Sequence, residues 1–142
     1  METIAFIFAR GNSKGLKKKN IRPLMEKPLI GWSIEQAKSV PSIKRVIVST
    51  DSEEIATISK RYGAEVPFIR PSNLAQDSSP EWLSWRHALN YLKDTEGRLP
   101  DVMLSVPATS PLRKSEDLTK CLEMFSNDQV DAVITVTEAH RN

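Results

Sequence analysis

Thr3-Ile4-Ala5-Phe6-Ile7-Phe8, running straight into Ala9-Arg10-Gly11-Asn12-Ser13-Lys14-Gly15-Leu16-Lys17-Lys18-Lys19-Asn20, is the stretch whose reading decides the fold. A small or apolar run without polar alternation describes a strand covered on both faces, as in parallel sheets. The segment after it carries five cations between Arg10 and Lys19, and Gly11 and Gly15 let the backbone turn where a side chain would obstruct it. A cationic, glycine-loosened loop directly after a buried strand lies at that strand's carboxyl end, where open α/β sheets bind their ligands.

The positive charge is local. The 142-residue chain holds 20 Lys and Arg against 18 Asp and Glu, and without the five loop cations its net charge of +2 becomes −3. So small a surplus argues for small phosphorylated ligands and against a nucleic-acid partner. Spacing excludes two common phosphate loops. Three residues rather than four separate Gly11 from Gly15, and Leu16-Lys17 follows, so there is no Walker A loop. Ser13 stands where a dinucleotide fingerprint needs its second glycine.

With 39% hydrophobic and 27% charged residues, residues 1–142 read as one globular domain with material for a core. The N-terminus lacks the basic-then-apolar order of a signal peptide, and no apolar run nears the roughly 18 residues of a membrane span. A cytoplasmic protein without a membrane partner is expected. Cys121, the single cysteine, cannot form an internal disulfide, and His87 and His140 complete no zinc-binding spacing with it. Its helical spacing from Leu118 and Phe125 suggests a buried thiol.

Strand and helix signals alternate along the chain. Residues 21–27 read as irregular, and Pro28 serves as first position of a helix to about Val40, with Ile30, Ile34 and Ala37 on one face. Residues 45–50 form a short strand, and Asp51-Ser52-Glu53-Glu54 caps a helix that turns Ile55, Ile58 and Tyr62 inward and stops at Gly63. Residues 65–69 are a shorter strand, placed at an edge by Pro67. A long polar loop, residues 70–79, leads to a helix opened by Ser79-Pro80-Glu81, whose Trp82, Trp85, Leu89 and Leu92 are expected to pack on the sheet. Residues 101–106 are the fourth strand, residues 107–113 a loop, and Ser115-Glu116-Asp117 caps a helix bearing Leu118, Cys121, Leu122 and Phe125. Residues 130–136 are expected to be a fifth strand, and residues 137–142 are polar.

This order predicts an α/β fold, Rossmann-like, with a mostly parallel sheet and helices on both faces. Right-handed crossovers gather the loops after the strands at one edge of such a sheet. Residues 10–20, Asp51, residues 70–79 and residues 109–113 thereby come to surround one crevice. Its Lys and Arg suit a triphosphate, whose oxygens can be shared among ammonium groups and backbone amides. Lys14 and Lys19 are the candidates for neutralising phosphate charge, Arg10 is a planar bidentate donor, and Asn20 offers an amide to ribose or base.

Ala9-Arg10-Gly11-x-Ser13-Lys14-Gly15-x-x-x-Lys19-Asn20 resembles the nucleotide loop of the acylneuraminate cytidylyltransferases, the CMP-sialic acid synthetases. The resemblance extends along the chain through Val48-Ser49-Thr50-Asp51, the Arg70-x8-Ser79 element and Ala108-Thr109-Ser110-Pro111-Leu112-Arg113. It implies a nucleotidyltransferase sandwich fold and transfer of CMP from CTP to a nonulosonic acid. It also implies that Arg10, Asn20, Arg70 and Ser79 contact the nucleotide, that Lys14 and Lys19 serve the phosphates from the loop that also carries Ser13, and that Lys19 and Arg10 are the catalytic cations. A Mg2+ cofactor, with ligands beyond residue 142, and a homodimeric intact protein are further implications.

Two departures accompany the resemblance. Pro107 stands where many members carry a substrate-contacting Gln, and Asp131, Glu116 and Asp117 do not reproduce the family's Asp-x-Asp metal pair. The chain is therefore expected to be the N-terminal portion of such an enzyme, binding nucleotide without turnover by itself. A cytidylyltransferase for another acidic sugar, such as a ketodeoxyoctonate, and a non-catalytic nucleotide-binding module are the alternatives.

Overall fold

β1 (Thr3–Phe8) is buried from Thr3 through Ile7, as a strand with neighbours on both edges and both faces must be. The computed structural model describes residues 1–127 and 129–138. After β1 come a 3-10 turn (Lys19–Ile21), the short strands β2 (Pro23–Leu24) and β3 (Lys27–Pro28), helix α1 (Leu29–Lys38) and strand β4 (Ile43–Ser49). Helix α2 (Glu53–Arg61), a second 3-10 turn (Ser72–Leu74), helix α3 (Glu81–Glu96), strand β5 (Val102–Ser105) and helix α4 (Ser115–Asn127) complete the order. The main sheet runs β4-β1-β5 with both pairings parallel, bringing Phe8 opposite Ser49 and Phe6 opposite Ser105.

The two-residue period of β1 divides the core between the faces of the sheet. Ala5 and Ile7 join Val46 and Val48 of β4 against Ile30, Ile34 and Ala37 of α1, Ile55 of α2 and Leu118 of α4. Ile4 and Phe6 join Ile47 against Ala88 and Leu92 of α3. Helices therefore cover both faces, as the unalternated apolar strands predict. Since β4 and β5 lie on opposite sides of β1, the chain reverses direction across the sheet at β1, and a crevice opens between the carboxyl ends of β1 and β5.

Several local expectations are corrected. Residues 65–69 make one parallel bridge rather than a strand: Glu65 N donates to Val46 O at 2.8 Å and Glu65 O accepts from Val48 N at 2.9 Å. Pro67 has no N–H with which to continue the ladder. Residues 130–136 carry no ladder either, and Ile134 and Val136 are exposed. Their β-branched composition favours a strand, but a strand exists only against a partner edge. Pro28 caps α1 instead of opening it, and Ser52 rather than Asp51 caps α2, its Oγ accepting from Ile55 N at 3.3 Å. The buried face of α3 is Ser84, Ala88 and Leu92, while Trp82 is 53% exposed and Trp85 only tilts against Phe8. Small residues at four-residue spacing let α3 lie close to the sheet, which rotates the tryptophans outward. Cys121 is half-buried. Residues 23–28 form a tight hairpin, with Met25 and Glu26 at positive φ in its turn.

His87 sits edge-on to Phe68, with ring centroids 4.8 Å apart, and its Nδ1 is buried without a partner among the described residues. Burial first, and the nearby Arg70 charge second, lower its pKa below the usual 6.5. The neutral ring is the form the fold favours, so its contribution is complete above pH 6.5 and is lost as pH falls through the lowered native value. The stability of the wild type against urea should fall on acidification below 6.5 more steeply than that of His87→Gln.

Candidate functional site

The ladder between β1 and β4 ends at Ala9 N, which donates to Ser49 O at 3.0 Å. Beyond it the loop is held by side chains. Gly11 N donates to Asp51 Oδ1 at 2.8 Å, and Asn20 Nδ2 donates to Arg10 O at 3.0 Å. Lys19 N donates to Ser13 Oγ at 3.2 Å, closing the loop on itself. Gly11 is required by space: a Cβ there would stand 2.9 Å from Ser52 Cβ.

The crevice has a volume of about 400 Å3. Arg10, Lys19 and Asn20 line one wall, Arg70 and Ser79 another, and Pro107, Ala108 and Thr109 the end of β5. Five of the seven residues singled out from the sequence thus meet at one place. Ser13 faces a neighbouring cavity between the loop and α2, with Asp51 and Lys18, while Lys14 is exposed and lines neither. Arg113 turns away, donating to Pro107 O at 2.7 Å and Ser110 O at 3.2 Å.

Arg70 is held from both ends. Its backbone N donates to Thr50 O at 2.8 Å, and its Nη1 donates to Ser84 Oγ at 2.7 Å. The residue is 5% exposed, and its Nε is buried without a partner among the described residues. Burial pulls its pKa below the usual arginine value, the Asp51 charge opposes that shift, and the Arg10 charge adds to it. A buried guanidinium with an unmet N–H, beside a second guanidinium, is arranged to receive an anion. Asn20, 7% exposed, spends its amide N–H on Arg10 O, so this side chain orders the loop as well as lining the crevice.

Asp77, Glu81 and Ser84 were not singled out from the sequence. Asp77 forms an ion pair with Arg10 across the crevice, and Glu81 lines it. Ser84 did leave a signal, being a small polar residue in register with Ala88 and Leu92 on the buried face of a helix. Nothing in the polar run 70–79 marks which cation Asp77 would meet.

An open parallel sheet with a cationic crevice at the carboxyl ends of its strands places the chain among α/β folds that bind their ligands at that edge. The chain belongs to the cytidylyltransferase family, whose pattern it matches over residues 4–142. It is 41% identical over 141 residues to the post-translational flagellin modification protein B of Campylobacter coli, an alignment covering 99% of this chain and 60% of that protein. It is 33% identical to the pseudaminic acid cytidylyltransferase of Campylobacter jejuni, covering 97% of this chain and 59% of the relative. It is 34% identical to the N-acylneuraminate cytidylyltransferase of Escherichia coli, covering 97% and 32%. The chain thus spans about 60% or less of the length of these relatives. Among solved structures, a CMP:2-keto-3-deoxy-manno-octonic acid synthetase complexed with CTP shares the fold, with a TM-score of 0.74 at 19% identity over 91% of this chain and 49% of that one.

Arg70 has no carboxylate within ion-pair distance among the described residues. A buried guanidinium without a directly bonded carboxylate carries a desolvation cost that an apolar side chain of similar length does not. Ser84 Oγ would still donate to Leu74 O, at 3.2 Å in the wild type. Arg70→Met should therefore leave the thermal midpoint of the free protein unchanged or raise it, as differential scanning calorimetry would record.

Proposed function

We propose that the crevice binds CTP for the transfer of CMP to a nonulosonic acid of the sialic type, with release of diphosphate. The observation that carries this reading is the meeting of Arg10, Lys19 and Arg70 in one crevice at the carboxyl ends of the strands. The named activities of the pseudaminic acid and N-acylneuraminate relatives support the cytidine nucleotide and an acidic sugar. The acceptor's anomeric hydroxyl attacks the α-phosphorus in line. The new O–P bond forms as the bond from the α-phosphorus to the α,β-bridging oxygen breaks, diphosphate leaves with that electron pair, and the hydroxyl's proton passes to solvent water. Arg10 and Lys19 neutralise the charge spread over the phosphoryl oxygens, and the half-buried setting strengthens that effect. Ser79, whose Oγ donates to Asn73 O at 2.8 Å and can still accept, and the side-chain oxygen of Asn20 serve ribose and base.

Among the described residues no group of three or more His, Cys, Asp or Glu side chains gathers to hold a metal ion, whereas Mg2+ is commonly held by one or two carboxylates together with substrate phosphates. Among the described residues no helix is long and apolar enough to cross a membrane. Pro107 lines the crevice but has no side-chain hydrogen bond to give an acceptor sugar, and its carbonyl already accepts from Ser33 Oγ and Arg113 Nη2.

Isothermal titration with CTP, UTP and ATP in parallel tests the reading. CTP should bind tightest; equal weak binding of all three would leave only an anion site. Lys19→Ala should cost CTP about 1.5 to 3 kcal/mol and cytidine little. Equal losses for both ligands would contradict the phosphate role. The Arg10–Asp77 ion pair must yield before phosphate takes that guanidinium, so Asp77→Asn should tighten CTP binding, by a margin that shrinks as salt is added.

A further inference from the structure

The carboxyl end of β4 supplies three consecutive anchors to the crevice. Ser49 O accepts from Ala9 N at 3.0 Å, Thr50 O accepts from Arg70 N at 2.8 Å, and Asp51 Oδ1 accepts from Gly11 N at 2.8 Å. The first two are backbone bonds that any residue could make. The third depends on a side chain, and that side chain is not occupied in capping the adjoining helix, because Ser52 Oγ takes Ile55 N. The turn into α2 is closed without it, by Ser52 N donating to Thr50 Oγ1 at 3.1 Å.

Gly11 is the residue at which the loop would otherwise be free. With no side chain of its own, and with Ser52 Cβ 2.9 Å from where its Cβ would be, it can be fixed only through its backbone. The peptide unit that follows the Arg10 Cα is held on both sides, its carbonyl by Asn20 Nδ2 and its amide by Asp51. The Asp51 charge also favours the protonated form of the buried Arg70. One carboxylate thereby acts on both arginines of the crevice without lining it.

We infer that Asp51 is a positioning residue of the nucleotide crevice: its bond to the Gly11 amide sets the place of Arg10 before the nucleotide arrives. This rests on the reading of the crevice as a CTP site. Preorganised donors bind and stabilise charge better than donors that must be ordered on binding.

The test uses Asp51→Ala and the near-isosteric Asp51→Asn, which keeps an acceptor oxygen. Two measurements are made on each: CTP affinity by isothermal titration, and hydrogen exchange of the Gly11 amide by NMR. Asp51→Ala should bind CTP about tenfold more weakly than wild type and expose the Gly11 amide to exchange, while Asp51→Asn restores most of both. A wild-type affinity in Asp51→Ala, a loss in Asp51→Asn as large as in Asp51→Ala, or a Gly11 amide equally protected in all three proteins would overturn the inference. Were Asp51→Ala not to fold, Asp51→Ser, with a side chain one atom shorter, takes its place. The exchange measurement needs no nucleotide. If the wild type bound no CTP, the proposed function would fall, and the Gly11 amide would still decide whether Asp51 holds the loop.

Discussion

The hydrogen bond from Ala9 N to Ser49 O, at 3.0 Å, is the last rung of the ladder between β1 and β4, and the site begins where the ladder stops. Up to that rung the backbone is held by regular pairing inside a core covered on both faces. After it, every donor and acceptor of the loop has to be met one by one. Asp51, Asn20 and Ser13 meet three of them, which converts a glycine-containing cationic segment into a shaped one. The same end of β4 holds Arg70 through Thr50 O, so both arginines of the crevice are referred to one rigid strand end. A site built in this way takes its precision from the sheet and its charge from the loops.

Much of this was legible in the sequence, because the strongest signals there are burial signals. Thr3 to Phe8 admits only a central strand, the alternation of apolar strands with periodic helices admits only a doubly covered sheet, and the crossover rule then brings residues 10–20 and 70–79 together. What was not legible depended on partners distant in sequence. Residues 130–136 have strand composition but no adjacent strand in the described residues, so composition alone misleads. Trp82 and Trp85 have the spacing of a packed face, yet the rotation of α3 is set by how closely Ser84 and Ala88 allow it to approach the sheet. Asp51 precedes a helix as a cap would, and only the structure reveals that its carboxylate reaches 40 residues back to Gly11.

A second concavity, about 820 Å3 and more apolar, lies between β5, α4 and residues 131–135. It differs in character from the cationic crevice, Leu104, Leu118, Leu122, Phe125 and Val133 making up much of its wall. The two share Pro107 and Ser105 at the end of β5, so the carboxyl end of that strand is their common border. The cationic crevice and the apolar groove are thus two environments on either side of one strand end.

The central claim is that nucleotide binds where Arg10, Lys19 and Arg70 converge. It is tested most directly by following the backbone amide signals of the isotopically labelled protein by NMR as CTP is added. The account predicts that the largest shifts fall on Arg10, Gly11, Lys19, Asn20, Arg70 and Ser79, with the amides of α4 little changed. Shifts concentrated on β5 and α4 along the apolar groove, or none on the loop after β1, would contradict it.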